Sequence, residues 1–240
     1  MVELGTGQQY AALIADRLQA LQQTKLYDLL ATSPLIGWYA LCLRARFPDL
    51  VQQIAAADLA TIDLLTVSSI VSKFASLAFI SVLIALLAFR ATPRAKAPGL
   101  IPRVAALAGT YLGIGIVLLP PIALSTQLYL TSTLLIVGGT VFALYSALKL
   151  GRSISMMSEA RRLVTRGPYA VIRHPLYLGE GIALVGLTLQ FLSPWAVLIF
   201  ALQCACQVER MKNEERILLQ VFPEYRNYMA HTGRLVPYIY

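Results

Sequence analysis

The sequence is poor in charged residues. Only 13% of its 240 residues are charged, while 58% are hydrophobic; a soluble domain has about a quarter of its residues charged. A water-soluble chain of this length could not bury so much apolar surface. The low charge therefore excludes an ordinary soluble domain and predicts an integral membrane protein.

Cysteine and histidine are also scarce, which argues against a metal site. Cys42, Cys204 and Cys206 lie in apolar surroundings without a metal-ligand spacing, and the two histidines, His174 and His231, are far apart. We therefore expect no zinc centre. The N-terminus lacks a positive segment followed by an apolar core, so we expect no cleavable signal peptide.

The positive charge is concentrated in a few segments. The net charge is +8, and fifteen of the twenty lysines and arginines lie in residues 90–103, residues 149–173 and the tail after residue 209. Each segment borders an apolar run, as loops on the cytoplasmic side of a membrane do, and such loops also attract anionic lipid headgroups. The distribution favours membrane lipids as partners and disfavours nucleic acid.

The order of apolar runs predicts an all-α integral membrane bundle with about five transmembrane helices. We expect three parts: an N-terminal amphipathic and interfacial region (1–63), a transmembrane scaffold (64–150) and a segment with the polar motifs (151–240). Apolar residues recur at helical spacing within residues 1–30, which predicts an amphipathic surface helix.

Individual runs differ in how well they fit a bilayer. Residues 34–43 are too few to cross it, which predicts an interfacial or partly inserted helix. Full spans are expected at 64–89, 104–119 and 128–148. Lys73 lies inside the first of these, where a lysine is either functional or turned towards the bundle.

The mostly apolar run at residues 175–208 is too long for one crossing, since a single helix would measure about 50 Å at 1.5 Å per residue. Ser193-Pro194 offers a break near its middle. We therefore predict a hairpin of two helices that returns the chain to the cytoplasmic side. A C-terminal amphipathic, cytoplasmic helix should follow after residue 209.

Residues 167–179 gather an arginine, a histidine and two tyrosines where a basic loop enters an apolar run. Pro175 suits the first turn of a helix. Arg173 and His174 then come just before its N-terminus, where unpaired N–H groups attract anions. By itself this pattern fits a functional site and a simple helix cap about equally.

A second polar cluster follows in the tail. Glu214 lies one turn after Arg210, a spacing that by itself favours a surface ion pair. The predicted hairpin, however, brings this cluster and residues 173–174 to the same side of the membrane. The two clusters could therefore converge on a site for a charged, partly apolar ligand.

The two clusters together resemble the isoprenylcysteine carboxyl methyltransferase family, which belongs to a wider group of membrane methyltransferases that includes phospholipid N-methyltransferases. The resemblance rests on Arg-His-Pro-Leu-Tyr-Leu-Gly at residues 173–179, on Glu214-Glu215 and on Phe-Pro-Glu-Tyr-Arg-Asn-Tyr at residues 222–228. It covers residues 150–237, and Pro223 stands where the family often has glycine. Residues 151–240 would then be the methyltransferase core.

The resemblance implies S-adenosylmethionine as the cofactor, bound near the cytoplasmic face, and a lipophilic small molecule or a prenylated or lipid substrate that arrives from the bilayer. Arg173 and Arg210 are the catalytic candidates, because an arginine can orient a carboxylate acceptor through paired hydrogen bonds. A thiol acceptor would instead need a base, for which His174 is the natural candidate. The residues implied to line the cofactor pocket are Tyr169, His174, Tyr177, Leu178, Gly179, Glu214 and Glu215.

Several functions are compatible with the sequence. Among methyltransferases, carboxylate O-methylation is favoured over phospholipid N-methylation and small-thiol S-methylation. An NADPH-dependent membrane reductase of similar architecture is disfavoured, because no basic cluster is assignable to a 2′-phosphate. A small transporter would not bind S-adenosylmethionine, and it would leave the pairing of the two motifs as a coincidence.

Overall fold

Long helices make up most of the computed structural model, which describes residue 10, residues 24–57 and residues 62–237. This confirms the predicted, mostly helical class, whereas the small antiparallel sheet between two short strands was not predicted. The elements are α1 (Lys25–Ala56), α2 (Leu64–Phe89), β1 (Ala95–Lys96), α3 (Ile101–Tyr111), α4 (Ile114–Val117), α5 (Thr126–Leu150), β2 (Glu159–Ala160), α6 (Pro175–Gln190), α7 (Pro194–Val221) and α8 (Tyr225–His231), with 3-10 turns at Gly151–Ser153 and Gly167–Ala170.

The first helix is longer than the sequence indicated. Residues 34–43, predicted as an interfacial helix, lie inside the 32-residue helix α1, which Thr24 caps by accepting the N–H of Tyr27. By length and composition α1 could cross a membrane. The apolar pattern began the helix too late because it treated Asp28 as a solvated charge, whereas this side chain is buried. It ended the helix too early because it stopped at Arg44 and Arg46, which lie inside α1. Except for residue 10, the surface helix predicted upstream of α1 lies outside the described residues.

Two of the three central spans are confirmed as long apolar helices. The helix α2 has the predicted bounds, and α5 contains the predicted run at 128–148. The predicted span at 104–119 is wrong in detail, because α3 ends at Tyr111 and only the short α4 follows. Within the described residues, three helices are long and apolar enough to span: α1, α2 and α5 with its following turn (Thr126–Ser153). The predicted number of about five is therefore not established.

The hairpin predicted for residues 175–208 is confirmed. The helix α6 ends at Gln190 and α7 begins at Pro194, where the hydroxyl of Ser193 accepts the N–H of Ala196 at 3.1 Å. The tail predicted as a helix after residue 209 is helical as far as Val221, but it continues α7 and does not form a helix of its own. No glycine or proline interrupts the sequence between Trp195 and Phe222, so nothing ends the helix earlier.

Glycines allow α5 and α6 to cross with their backbones in contact. A Cβ atom added at Gly179 would lie 2.6 Å from the backbone nitrogen of Ala143, and one added at Gly186 would lie 2.5 Å from the carbonyl oxygen of Ser132. A Cβ at Gly139 would meet the backbone of α6 as closely. This packing fixes the start of α6, which carries the polar motif, against α5.

The two short strands bring both basic loops to one end of the bundle. Ala95 pairs with Ala160, and Lys96 pairs with Glu159. The loops at residues 90–103 and 149–173 therefore lie together, as the prediction of a common membrane side requires. The division of the chain at residues 63 and 150 stays a prediction.

Candidate functional site

The start of α6 is fastened to the end of the chain through its backbone. His174 is the residue before the helix, and Pro175 occupies the first helical position. The N–H of Arg173 donates to the carbonyl of Gly233 at 2.8 Å, and the N–H of His174 donates to the carbonyl of Arg234 at 3.1 Å. The polar motif is therefore held in place by a segment about 60 residues later in the chain.

Glu215 on α7 is the centre of a buried ion network. Its carboxylate accepts from Arg173 Nε at 2.8 Å and from Arg234 Nη2 at 2.6 Å, and it lies 3.2 Å from His174 Nε2. Burial by itself would raise the pKa of Glu215. The hydrogen bonds from His174, Arg234 and Arg173 outweigh burial and hold this pKa well below its ordinary value. The predicted convergence of residues 173–174 with residues 214–215 is thus confirmed.

The guanidinium of Arg173 is engaged with protein groups on several sides. Besides Glu215, it donates through Nη1 to the carbonyl oxygens of Met229 and Thr232. These contacts join the start of α6 to α7 and to the end of α8. The predicted catalytic role of Arg173 stays a prediction, and the contacts of this side chain stabilise the fold around the site.

Tyr177 connects this network with Glu214. Its hydroxyl donates to Glu214 Oε1, and its ring stacks on the imidazole of His174 with centroids 5.6 Å apart and planes 16° apart. Glu214 Oε2 also lies 4.0 Å from His174 Nδ1. Adjacent residues on one helix therefore face different partners, with Glu214 towards Tyr177 and Glu215 towards the arginines.

Arg210 lies inside the bundle. Its side chain is buried, so the surface ion pair that the spacing to Glu214 suggested is not formed on a solvated face. The guanidinium lies 4.9 Å from the centroid of the Tyr177 ring. It donates to the carbonyl of Met156 at 3.1 Å and to Gln207 Oε1 at 3.3 Å, while its Nε atom has no hydrogen-bond partner among the described residues.

Two cavities share a boundary at the start of α6. The smaller, polar cavity has a volume of about 90 Å³ and lies between the basic loop 149–173, α7 and α8. The larger cavity of about 620 Å³ lies among the helices and is mostly apolar. Ser155, Leu176 and Tyr177 line both cavities.

The predicted site residues are divided between these cavities. Leu178 and Arg210 line the larger cavity, and Tyr177 lines both. Gly179 contacts α5 and Glu215 belongs to the ion network, and neither lines either cavity. The predicted contacts of Gly179 and Glu215 with a cofactor stay predictions. The predicted site residues that line the smaller cavity are Tyr169, Arg173, His174, Tyr177 and Glu214.

Two tyrosines close the smaller cavity on the side of α8. The hydroxyl of Tyr228 donates to the carbonyl of Tyr169 at 2.6 Å. Burial and the nearby Glu214 raise the pKa of Tyr169, and burial raises the pKa of Tyr228 to about 12. Both phenols are therefore neutral hydrogen-bonding groups at physiological pH.

The sequence analysis missed one ionisable residue at the site, Glu180. Its Oε2 atom accepts from Gln207 Nε2 at 3.0 Å, and its side chain lines the larger cavity. A signal was present, because Glu180 is the acidic residue within the apolar run at 175–208, and ionisable residues in such runs are usually functional.

A second buried ion network, also missed, ties α1 to the basic loops. Asp28 accepts from Arg90 at 2.8 and 2.9 Å and from Arg161 at 2.8 and 3.2 Å. Arg161 also donates to Glu159 at 2.5 Å. Its partners are distant in sequence, so no local pattern could predict it. Within the described part of the chain, no group of three or more His, Cys, Asp or Glu residues could hold a metal ion.

Part of the chain is similar to known proteins. The chain is 34% identical over 80 residues to the nickel-cobalt-cadmium resistance protein NccN of Alcaligenes xylosoxydans xylosoxydans, a match that covers 33% of this chain and 38% of that protein. It is 34% identical over 76 residues to the cobalt-zinc-cadmium resistance protein CzcN of Cupriavidus metallidurans, covering 31% of this chain and 35% of that protein.

The chain thus matches little more than a third of the length of either relative. Independently, residues 128–225 match the family model described as phospholipid methyltransferase. The matched range begins in α5, contains the hairpin and includes both polar clusters. This segment is therefore similar to the phospholipid methyltransferase family, and the match supports the resemblance of the paired motifs to the wider group of membrane methyltransferases.

Proposed function

We propose that the protein is an integral membrane methyltransferase that uses S-adenosylmethionine and methylates a lipophilic acceptor. The observation that carries the proposal is the shared boundary of the two cavities at Leu176 and Tyr177. A polar pocket at the basic end of the bundle suits a charged, water-soluble methyl donor. The apolar cavity among the helices suits an acceptor that arrives from the bilayer.

The side chains around the smaller cavity include groups that can bind the charged and polar groups of S-adenosylmethionine. The carboxylate of Glu214 is 19% exposed and can accept hydrogen bonds from an ammonium group or ribose hydroxyls. Arg162 lines the same cavity and can pair with a carboxylate. The volume of about 90 Å³ is below the usual 300–1,000 Å³ of ligand sites. Side chains at this cavity must therefore move to admit the whole molecule.

The protein contributes orientation and electrostatics to this reaction. The sulfonium group of the cofactor supplies an electrophilic methyl group, so the chain has to align an acceptor with it and exclude water. Tyr177 lies at the boundary, where its hydroxyl fixes Glu214 and its ring contacts Arg210. Of the two catalytic candidates, Arg210 is preferred because it lines the larger cavity, whereas Arg173 is engaged with Glu215.

We place the site on the cytoplasmic side of the membrane. The two loops next to it, residues 90–103 and 149–173, carry four and six basic residues, and Glu159 is the acidic residue between them. Positive loops of this kind are retained in the cytoplasm. The methyl donor would then reach the smaller cavity directly from the cytosol.

Calorimetric titration of the detergent-purified protein with S-adenosylmethionine and, separately, with NADPH tests the proposal. We expect binding of the first compound only. Glu214→Gln should weaken this binding about tenfold or more, since a hydrogen bond to a charged group is worth about 1.5–3 kcal/mol. Glu209→Gln, a change at a partly exposed carboxylate on the same helix, is the control and should bind as the wild type does. Binding of NADPH instead, or of neither compound, would contradict the proposal.

A further inference from the structure

The larger cavity has in its wall an acidic side chain, Glu180, to which the proposed function assigns no role. Glu180 lies on α6, one residue after Gly179, and lines this cavity together with Arg210 and Tyr177. A carboxylate among apolar helices is costly, and in membrane proteins such residues usually serve a substrate or proton pathway. We therefore expect Glu180 to interact with a substrate or to transfer a proton.

One oxygen of this carboxylate accepts a hydrogen bond, and the side chain lines the larger cavity. Oε2 accepts from Gln207 Nε2 at 3.0 Å. Arg210 Nη1 in turn donates to Gln207 Oε1 at 3.3 Å, which fixes the direction of the amide between the two charged groups. Oε1 of Glu180 has no hydrogen-bond partner among the described residues. Glu180 is thus oriented by a chain of contacts that leaves one acceptor oxygen free for a ligand.

The packing of α3 leaves room for this chain of contacts. A Cβ atom at Gly109 would lie 2.9 Å from Arg210 Cδ and 3.4 Å from Gln207 Oε1. The carbonyl of Gly109 also accepts from Gln203. Because Gly109 has no side chain, Arg210 and Gln207 fit beside the cavity, where they can hold Glu180.

Other charged or titratable groups face the same space. On α7, Cys204 and Arg210 line the larger cavity, and on α6 the neighbour is Tyr177. Glu214 lines the smaller cavity and interacts electrostatically with Glu180. A further cavity of about 530 Å³ also has Glu180 in its wall. Groups on α1 and α2 that line one or both of these cavities are Tyr39, Arg46, Asp49 and Lys73.

We propose that Glu180 accepts the proton of the methyl acceptor, and that the acceptor is a neutral, lipophilic amine or thiol rather than a carboxylate. This inference rests on the proposed function. In the step, the bond from the methyl carbon to sulfur breaks and a bond from this carbon to the acceptor nitrogen or sulfur forms. The acceptor proton moves to Glu180 Oε1, which returns it to water after the product leaves.

The charges of this step balance inside the cavity. The positive charge of the sulfonium disappears as the thioether leaves, and the negative charge of Glu180 disappears as it takes the proton. A carboxylate acceptor would instead place a second negative charge beside Glu180, and the single positive charge of Arg210 in this cavity can offset only one of the two. The remaining like charges would repel strongly because the surroundings are apolar. His174, the base expected from the sequence for a thiol, faces Glu215 and does not line the larger cavity.

The test is methyl transfer from labelled S-adenosylmethionine in mixed micelles at neutral pH to three acceptors with a dodecyl chain: 4-dodecylaniline, which is a neutral amine at this pH, 1-dodecanethiol and dodecanoic acid. We expect transfer to the amine or the thiol and none to the acid. Glu180→Gln should slow this transfer about 100-fold or more, the usual contribution of a general base, without changing the affinity for S-adenosylmethionine measured by calorimetry. Glu180→Asp, which keeps the acid, should retain part of the rate.

Glu209→Gln is the matched control, because it removes a carboxylate from α7 outside both cavities and should leave the rate unchanged. Transfer to dodecanoic acid alone, transfer to none of the three compounds, or a wild-type rate in Glu180→Gln would overturn the inference. Failure of the wild-type protein to bind S-adenosylmethionine is a different result, and it would refute the proposed function itself.

Discussion

Replacing Glu215 by glutamine tests how much the ion network at the start of α6 contributes to stability. The substitution keeps the shape of the side chain but removes the charge that offsets Arg173 and Arg234, whose side chains are only 10% and 15% exposed. Breaking a buried pair in this way costs about 3–5 kcal/mol. At about 2–4 °C per kcal/mol for a chain of this length, the unfolding midpoint should fall by about 6–20 °C.

Thermal unfolding in detergent, followed by circular dichroism at pH 7, measures this change. The control is Glu209→Gln, which removes an ion pair with Arg216 at 3.9 Å whose side chains are 34% and 66% exposed. Such a pair is worth less than about 1 kcal/mol. If Glu215→Gln melts within about 2 °C of this control, the network does not stabilise the fold as argued.

Acidification provides an independent check with a defined sign. Because the folded-state pKa of Glu215 lies below its ordinary value of 4.5, its contribution is fully present above pH 4.5 and is lost as the pH falls towards the folded-state pKa. The difference in midpoint between the wild type and Glu215→Gln should therefore be largest near neutral pH and shrink below pH 4.5. A difference that grows on acidification would mean that another group dominates.

Two further substitutions test the fold around the site by the same unfolding measurement. Asp28→Asn should cost about 3–5 kcal/mol, because Arg90 and Arg161 would lose the buried carboxylate that they share; a change below about 1 kcal/mol would show that the network is dispensable. Gly179→Ala should cost about 1–3 kcal/mol by forcing α5 and α6 apart, whereas Gly181→Ala, with no atom within 4 Å of the added Cβ, should not destabilise. Equal effects of the two alanines would refute the close crossing.

Composition and local pattern could predict the helix bounds and breaks that depend only on the residues of one segment. The bounds of α2, the core of α5 and the break before Pro194 follow from apolar length and helix breakers, and the structure has all of them. The hairpin then determined which polar clusters meet. Arg173 and Glu215 are 42 residues apart in sequence and 2.8 Å apart in the structure.

The features that could not be predicted depend on partners distant in the chain. In the local pattern, Asp28 is a charge that precedes an apolar run, yet Arg90 and Arg161 neutralise it from 62 and 133 residues away. The helix α1 therefore begins before the apolar run, at Lys25. In the same way, nothing local distinguishes Glu214 from Glu215, and only the packed neighbours show which of them faces a cavity.

The two ion networks constrain how the smaller cavity can open. Glu159 and Arg161 come from one network and Arg173 from the other, and all three line this cavity with their charges already paired. Moving them would leave buried charges without partners, which is expensive. The contact between Tyr177 and Glu214 joins a carboxylate to a neutral phenol and is partly exposed, so it can be exchanged at lower cost. We therefore expect a methyl donor to enter by replacing the hydrogen bond between Tyr177 and Glu214. The donor would then lie against the ring of Tyr177, which separates the smaller cavity from the larger one.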